Sequence, residues 1–366
     1  MRFSTNFGRP LPGHRRQRKG AAAVFLCVLM VPLLFLLAFS IDYGFLLYVE
    51  TNLQRTSDQA AIAAVRELAP DPYGNQDLAA VRQAVRDYVN LNLGDGFTVD
   101  DEDIEIGRYN PNTIYGDIEL LNDGILDTVR VTLRRDDTEN TSVSLYFARL
   151  FGNDDSGVAA RSTAVLQKAS YLGPGADVFP FSIQRQAWNH LNYGDSAVIY
   201  GSGQILDENG QSIPGNWGTL DIGSQSNSTD ALSDQILTGL TQDDLDALYS
   251  QGSIPTNEYI DANLTIDLNG DTGLSAGLRH ALEDVEGLTR IAPIYKKTTS
   301  QGGNLYFEVV SWASITVGTS TFRGSNNSSV QIQKSYAYDE NLYPNPDLSN
   351  TSNVIEGAYT SPVLVE

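Results

Sequence analysis

Residues 15–68 read RRQRKGAAAVFLCVLMVPLLFLLAFSIDYGFLLYVETNLQRTSDQAAIAAVREL, and this stretch decides the architecture. From Gly20 to Ile41 it contains no Asp, Glu, Lys, Arg or His. At ~1.5 Å rise per helical residue those positions span roughly 30 Å, the hydrocarbon thickness of a bilayer. A single transmembrane helix over 20–41 is expected, with the bilayer as its first partner.

The flanks set its orientation. Arg2, Arg9, Arg15, Arg16, Arg18 and Lys19 precede the run, whereas Asp42 and Glu50 follow it. Positive charge stays cytoplasmic, so residues 1–19 read as a cytoplasmic basic segment of an inner-membrane protein whose bulk is extracytoplasmic. Setting aside those six of the 24 Lys+Arg leaves 18 against 45 Asp+Glu, a formal −27 beyond the membrane. So acidic a chain is a poor partner for nucleic acid. Ala38-Phe39-Ser40 has the small residues that signal peptidase accepts. The apolar run is longer than a usual secretory core, however, and a retained anchor is the reading adopted. Cys27 follows Leu26, where a lipoprotein signal needs a small residue, and reads as a lipid-facing or helix-packing thiol.

Beyond the membrane, 41% hydrophobic and 19% charged residues are an ordinary globular balance, enough for a real core. One cysteine excludes an intramolecular disulfide, so packing must supply the stability. The helix is expected to continue past Ile41. Leu46, Leu47, Val49, Leu53, Ala60, Ala61, Ala64, Val65 and Leu68 recur mostly at three- and four-residue spacings, and no proline interrupts them before Pro70. Residues 42–69 therefore read as an extracytoplasmic helical stalk. Pro32 lies mid-span, where membrane helices tolerate a lost backbone bond.

Three pieces in this order carry a resemblance: Arg18-Lys19-Gly20-Ala21-Ala22-Ala23-Val24, Asp42-Tyr43-Gly44, and Leu53 to Ala64. Together they resemble the N-terminal segment of TadG-like Flp pilus-assembly proteins. The likeness continues through Val129–Leu133 and Leu145-Tyr146-Phe147-Ala148-Arg149-Leu150-Phe151-Gly152 to Val158–Ala164, about half the chain. It implies a bacterial single-pass envelope protein of the tight-adherence apparatus, with pilus or secretion-apparatus proteins as partners. Two departures qualify it. Prepilins carry Glu five residues after the cleaved Gly, whereas Phe25 stands there after Gly20. Longer relatives carry a von Willebrand type A metal motif, Asp-x-Ser-x-Ser, and the nearest string, Asp221-Ile222-Gly223-Ser224-Gln225, lacks both hydroxyls.

The overall class is α+β. A helix stripe at Leu78, Val81, Val85, Tyr88 and Val89, alternation at Ile104/Ile106 and Val129/Val131/Leu133, a short helix at 144–151 and a strand at 158–167 define an α+β membrane-proximal domain, 70–172. Gly173-Pro174-Gly175-Ala176 reads as its boundary. A sheet-rich second domain, 173–338, follows. Its strands are expected at 178–183, 195–200, 218–222, 288–295, 305–317 and 330–336, its helices at 231–240, 243–251 and 274–285. Residues 339–366, with Pro344, Asn345 and Pro346, read as an irregular tail.

Chemistry-bearing motifs are sparse. No Gly-x-Ser-x-Gly, His-Glu-x-x-His, Walker or dinucleotide pattern occurs, and His14, His190 and His280 lack neighbours at ligand spacing. No catalytic, cofactor or metal residue is assigned, and a non-enzymatic role is expected. Asp267-Leu268-Asn269-Gly270-Asp271 opens like a calcium loop, but Thr272 and Leu278 stand where Gly and Glu are needed, so a plain turn is expected. Rival classes are a tethered hydrolase or glycan-binding module using Trp188, His190 and Asp195, and a calcium-dependent adhesin. The candidate functional residues are Asp42 at the membrane edge, Gly44, whose size permits close helix approach, and Asp58. Asp42 reads as a boundary carboxylate or an interhelical contact. Asp58 reads as a partner of Arg55 or Arg66, or as the cap of a contact in the domain above.

Overall fold

The computed structural model describes residues 19–110, 120–121, 124–199, 217–223, 228–271, 274–301, 304–322, 328–345 and 353–365. The basic residues before Lys19, His14, Tyr200, Ser224, Gln225, Thr272 and Gly273 lie outside that set. Helix α1 (Lys19–Glu67) is followed by α2 (Leu78–Leu93), β1 (Ile104–Tyr109), β2 (Leu120–Leu121), β3 (Thr128–Arg135) and β4 (Val143–Ser144). A 3-10 turn at Ala148–Phe151 leads to β5 (Asp155–Ser156) and the long β6 (Val158–Leu172). Then come β7 (Phe181–Gln184), α3 (Arg185–Asn189), β8 (Ser196–Ile199), β9 (Trp217–Leu220), α4 (Thr229–Thr238), α5 (Gln242–Ser250), β10 (Ile260–Asp261) and β11 (Ile266–Asp271). The chain ends with α6 (Arg279–Asp284), β12 (Thr289–Gln301), β13 (Asn304–Thr321), β14 (Ser329–Lys334), β15 (Ala337–Tyr338), β16 (Leu342–Pro344) and β17 (Ala358–Val365). The fold class is α+β, with a long N-terminal apolar helix and a sheet-rich remainder.

Two compact units emerge: Met1–Asn52 with Arg134–Ala159, and Leu53–Leu133 with Ala160–Glu366. In the first, the apolar positions of α1 are exposed, Phe25 at 71% and Val31 at 68%. Among the described residues α1 is the one helix long and apolar enough to cross a membrane. The excursion 134–159 contains the two-stranded ladder of β4 and β5, with Val143 opposite Ser156. The short helix expected at 144–151 shrinks to a 3-10 turn. Ser144 is already held in the ladder, and Gly152, in the left-handed region at φ 90°, ends the turn.

In the second unit the upper part of α1 is not a free stalk. Leu53, Ala60, Ala61, Ala64, Val65 and Leu68 are at most 1% exposed, so the alanine-rich stripe forms a core face. Small side chains at these spacings allow close approach, and Ser57 Oγ donates to the carbonyl of Val131 on β3 at 2.9 Å. Helix α2 buries Val81, Val85 and Val89, one per turn, and starts where Asp77 accepts from the amides of Ala79 and Ala80. Gln76 ties both helices to the sheet: its Nε2 donates to the carbonyls of Leu68 and Leu126, and its Oε1 accepts from the Leu126 amide.

The first sheet runs β15-β17-β6-β3-β1-β2, with β10 and β16 also on β6. Strands from both sides of the expected boundary at Gly173 thus share one sheet. The segment 339–366 departs from the irregular tail expected of it, because β16 and β17 pair antiparallel with β6. Its prolines disguised it. Pro362 falls in the register shift between Thr360 and Val363, where no ladder bond is demanded of it.

The second sheet runs β11-β9-β7-β12-β13-β14-β8, and β11 pairs also with β13. Five strands, β11-β9-β7-β12-β13, therefore close into a ring. Closure needs glycine where the ring is tightest: a Cβ on Gly218 would lie 2.3 Å from Phe307 Cζ, and one on Gly270 2.6 Å from the Thr219 carbonyl oxygen. Asp267, Asn269 and Asp271 belong to β11 and not to a turn. At ~3.3 Å per strand residue, Asp267 and Asp271 stand about 13 Å apart along it, an arrangement unlike a calcium loop.

Candidate functional site at the edge of the apolar helix

Asp42 follows the last apolar residue of the spanning run and is 5% exposed. Its carboxylate takes four backbone hydrogen bonds from the 3-10 excursion: Oδ1 accepts from the amides of Tyr146 (2.8 Å) and Phe147 (3.2 Å), Oδ2 from those of Phe147 (2.9 Å) and Ala148 (2.6 Å). One side chain on the helix thereby closes the amide end of a remote turn. Desolvation raises the Asp42 carboxyl, but the amides of Ala148, Tyr146 and Phe147, aided by the Arg149 charge, hold it below its ordinary value of 3.8.

Aromatic contacts flank this clamp. Phe151 meets Phe35 edge-on at 5.1 Å between centroids, and Tyr146 meets Phe45 at 5.5 Å. Between them lies an apolar cleft of about 260 Å³ lined by Phe35, Phe39, Leu145, Phe147 and Phe151, with Asp42 in its wall.

Gly44 sits on a different face. At ~100° per residue it is roughly 200° around the helix from Asp42. It is exposed, and a Cβ added there meets no atom within 4 Å. Leu37 (59%), Ile41 (44%) and Tyr48 (63%) continue that exposed stripe.

Asp58 lies in the second unit. Its Oδ1 accepts from Gln54 Nε2 at 2.9 Å and from Ser162 Oγ of β6 at 2.5 Å, and Gln54 also donates to the Arg161 carbonyl at 3.2 Å. Its partners are Gln54 and Ser162, and neither Arg55 nor Arg66 pairs with it. The bond to Ser162 bridges α1 and β6.

Trp188, His190 and Asp195 do not form one constellation. Trp188 is buried and its Nε1 donates to Glu356 Oε2 at 2.7 Å, Asp195 accepts from the Asn192 amide in a local turn, and His190 is exposed. Sequence reading missed the real cluster here. Lys334 is ion-paired to Glu356 at 2.7 Å and lies over the rings of Trp188 and Tyr193, with Tyr193 stacked on Tyr336 at 3.9 Å. Glu356 is 168 residues from Trp188, and no local pattern joins them. Among the described residues no group of three or more His, Cys, Asp or Glu side chains could hold a metal ion.

Residues 20–67 match the Tad family, Flp pilus-assembly TadE/G-like, and residues 50–164 match the Tad_C family, Tad-like Flp pilus-assembly. Residues 20–164 are TadG-like, the part of the chain that the two family models cover. No curated protein and no solved structure matches it. The two matches take in α1, Asp42, Gly44, Asp58, the 3-10 turn and Ser162, and they make the TadG-like protein a Flp pilus-assembly component anchored by one apolar helix. Tad is a family of pilus-assembly proteins and not of enzymes.

Proposed function

We propose that this TadG-like protein stands in the cytoplasmic membrane with its N-terminus inside and residues beyond Asp42 outside. There it contacts neighbouring pilus-apparatus subunits through the helix face of Leu37, Ile41, Gly44 and Tyr48. The observation that carries the reading is the division of labour around α1. The Asp42 face is occupied by the chain's own turn, while the Gly44 face is exposed and has open space at its one glycine. Small residues on an unpartnered membrane-edge face favour close helix approach. Orientation is supported by the basic residues before Gly20 and the acidic ones after Ile41. On this reading Asp42 and Asp58 serve inside the chain, one fastening the turn and the other fastening the helix to β6.

The test is a pair of substitutions. Gly44→Leu should abolish pilus assembly at unchanged protein level, and Gly44→Ala should retain it. Full assembly with Gly44→Leu would show that the face is not used.

A further inference from the structure

The turn at 145–152 has an arrangement that an assembly contact does not explain. Phe151 packs on Phe35, seven residues before Asp42, so the turn reaches about 10 Å back along the apolar run. Its tip points apolar groups outward: Leu150 is 75% exposed, Phe151 64% and Tyr146 56%. Exposed side chains of this size next to a lipid-facing helix are costly in water.

Most backbone amides of the turn are meanwhile satisfied from within. The amides of Tyr146, Phe147 and Ala148 are taken by Asp42, that of Leu150 by the Phe147 carbonyl, that of Gly152 by Arg149 and that of Asn153 by Ala148. Internal satisfaction of amides is what non-helical backbone needs in order to enter a bilayer. The Asp42 charge is likewise matched by donors and does not depend on water. Exposed Arg149 stands beside the apolar tip, where a headgroup phosphate would meet it, and the acidic pair Asp154 and Asp155 follows on the far side of Gly152.

We propose that residues 145–152 form a second membrane contact, an interfacial wedge that inserts Leu150 and Phe151 into the outer leaflet beside α1. The proposal rests on α1 spanning the bilayer. The occupant is lipid, because the wedge continues the lipid-facing surface of the helix through the Phe35–Phe151 contact. Asp42 is then the positioning residue that holds the wedge at a fixed depth.

The full chain in a Cys27→Ser background is labelled with an environment-sensitive fluorophore at Leu150→Cys and reconstituted in phosphatidylcholine/phosphatidylglycerol vesicles. The vesicles are prepared with and without spin-labelled acyl chains. Val28→Cys, in the helix, and Thr138→Cys, exposed in the same excursion, are the references. Quenching at Leu150 is expected to exceed that at Thr138 by at least about threefold, as for a side chain below the headgroup boundary. Quenching at Val28 without quenching at Leu150 would overturn the wedge while leaving the span intact. Absence of quenching at both would overturn the span itself, and the wedge with it. A photoreactive residue at Leu150 should capture lipid; capture of a neighbouring protein subunit in its place would also overturn the proposal. Leu150 has almost no internal packing to lose, so its variants should fold.

Discussion

At the scale of single residues, Asp42 decides most. Replacing it with Asn leaves one acceptor oxygen and turns a donor toward two of the three amides, so the charge-assisted set collapses. Asp42→Asn should raise amide hydrogen exchange at Tyr146, Phe147 and Ala148 by roughly tenfold or more while leaving membrane anchorage unchanged. The pH dependence has a definite sign. A carboxyl whose folded value lies below 3.8 contributes fully above that pH, and the contribution is lost as the pH falls through the folded value. The turn should therefore loosen on acidification below about 3.8 in the wild type and show no such step in Asp42→Asn.

Asp127 works in the opposite direction. Burial pushes its carboxyl up, against the Tyr109 amide at 2.7 Å and the Thr128 hydroxyl at 2.8 Å, which lower it. Its folded form binds the proton more tightly than the unfolded chain, so its contribution is present at low pH and is lost as the pH rises through the raised value. Asp127→Asn should flatten that slope in urea titrations taken at stepped pH. Gly218→Ala would drive a methyl into Phe307 at 2.3 Å and should cost ~1–3 kcal/mol in the same assay. The sequence flagged Asp42 and Asp58 because a carboxylate at a membrane edge and another in an alanine-rich face both need an explanation. It could not supply their partners, because Tyr146 and Ser162 are 104 residues from Asp42 and Asp58 respectively.

At the scale of elements, long periodic segments were legible and short ones were not. The continuous α1, the α2 stripe and the β12–β13 strands follow from hydrophobic period, which is a local property. The 3-10 turn at 148–151 and the β16 and β17 strands depend on remote partners, and Pro362 argued against a strand until the register shift on β6 gave it a place. Two measurements probe the elements. Asp77→Ala removes the acceptor of the Ala79 and Ala80 amides and should destabilise the second unit by about 1 kcal/mol, read as a shift in the urea midpoint at unchanged slope. Deleting residues 358–366 uncovers β6 where β17 pairs with it and should turn the detergent-solubilised protein from a single species into aggregate on gel filtration. Loss of nothing but the last residues' own signal would show that β17 is dispensable.

At the scale of the whole molecule, the chain combines a membrane helix, a turn fastened to it, and a larger α+β unit that uses the upper half of the same helix as core. Composition and charge made that plan visible: an uncharged run, a basic flank and a strongly acidic remainder. What stayed hidden was the sharing of one sheet by strands from before Gly173 and from the last residues of the chain, since sheet pairing at such separations leaves no periodic trace. Helix α1 has two unlike faces, one closed by the chain's own turn and one exposed around Gly44.

In-cell photocrosslinking separates the two faces, with the reactive residue placed at Tyr48 on the open face and, in a second strain, at Leu46, which lines the cleft under the turn on the closed one. Mass spectrometry of the membrane fraction should find pilus-apparatus subunits joined to the Tyr48 variant in intact anchored chains, and no intermolecular protein product from the Leu46 position. Equal capture of the same partner from both faces, or none from Tyr48, would show that the Gly44 face is not where a neighbouring subunit binds.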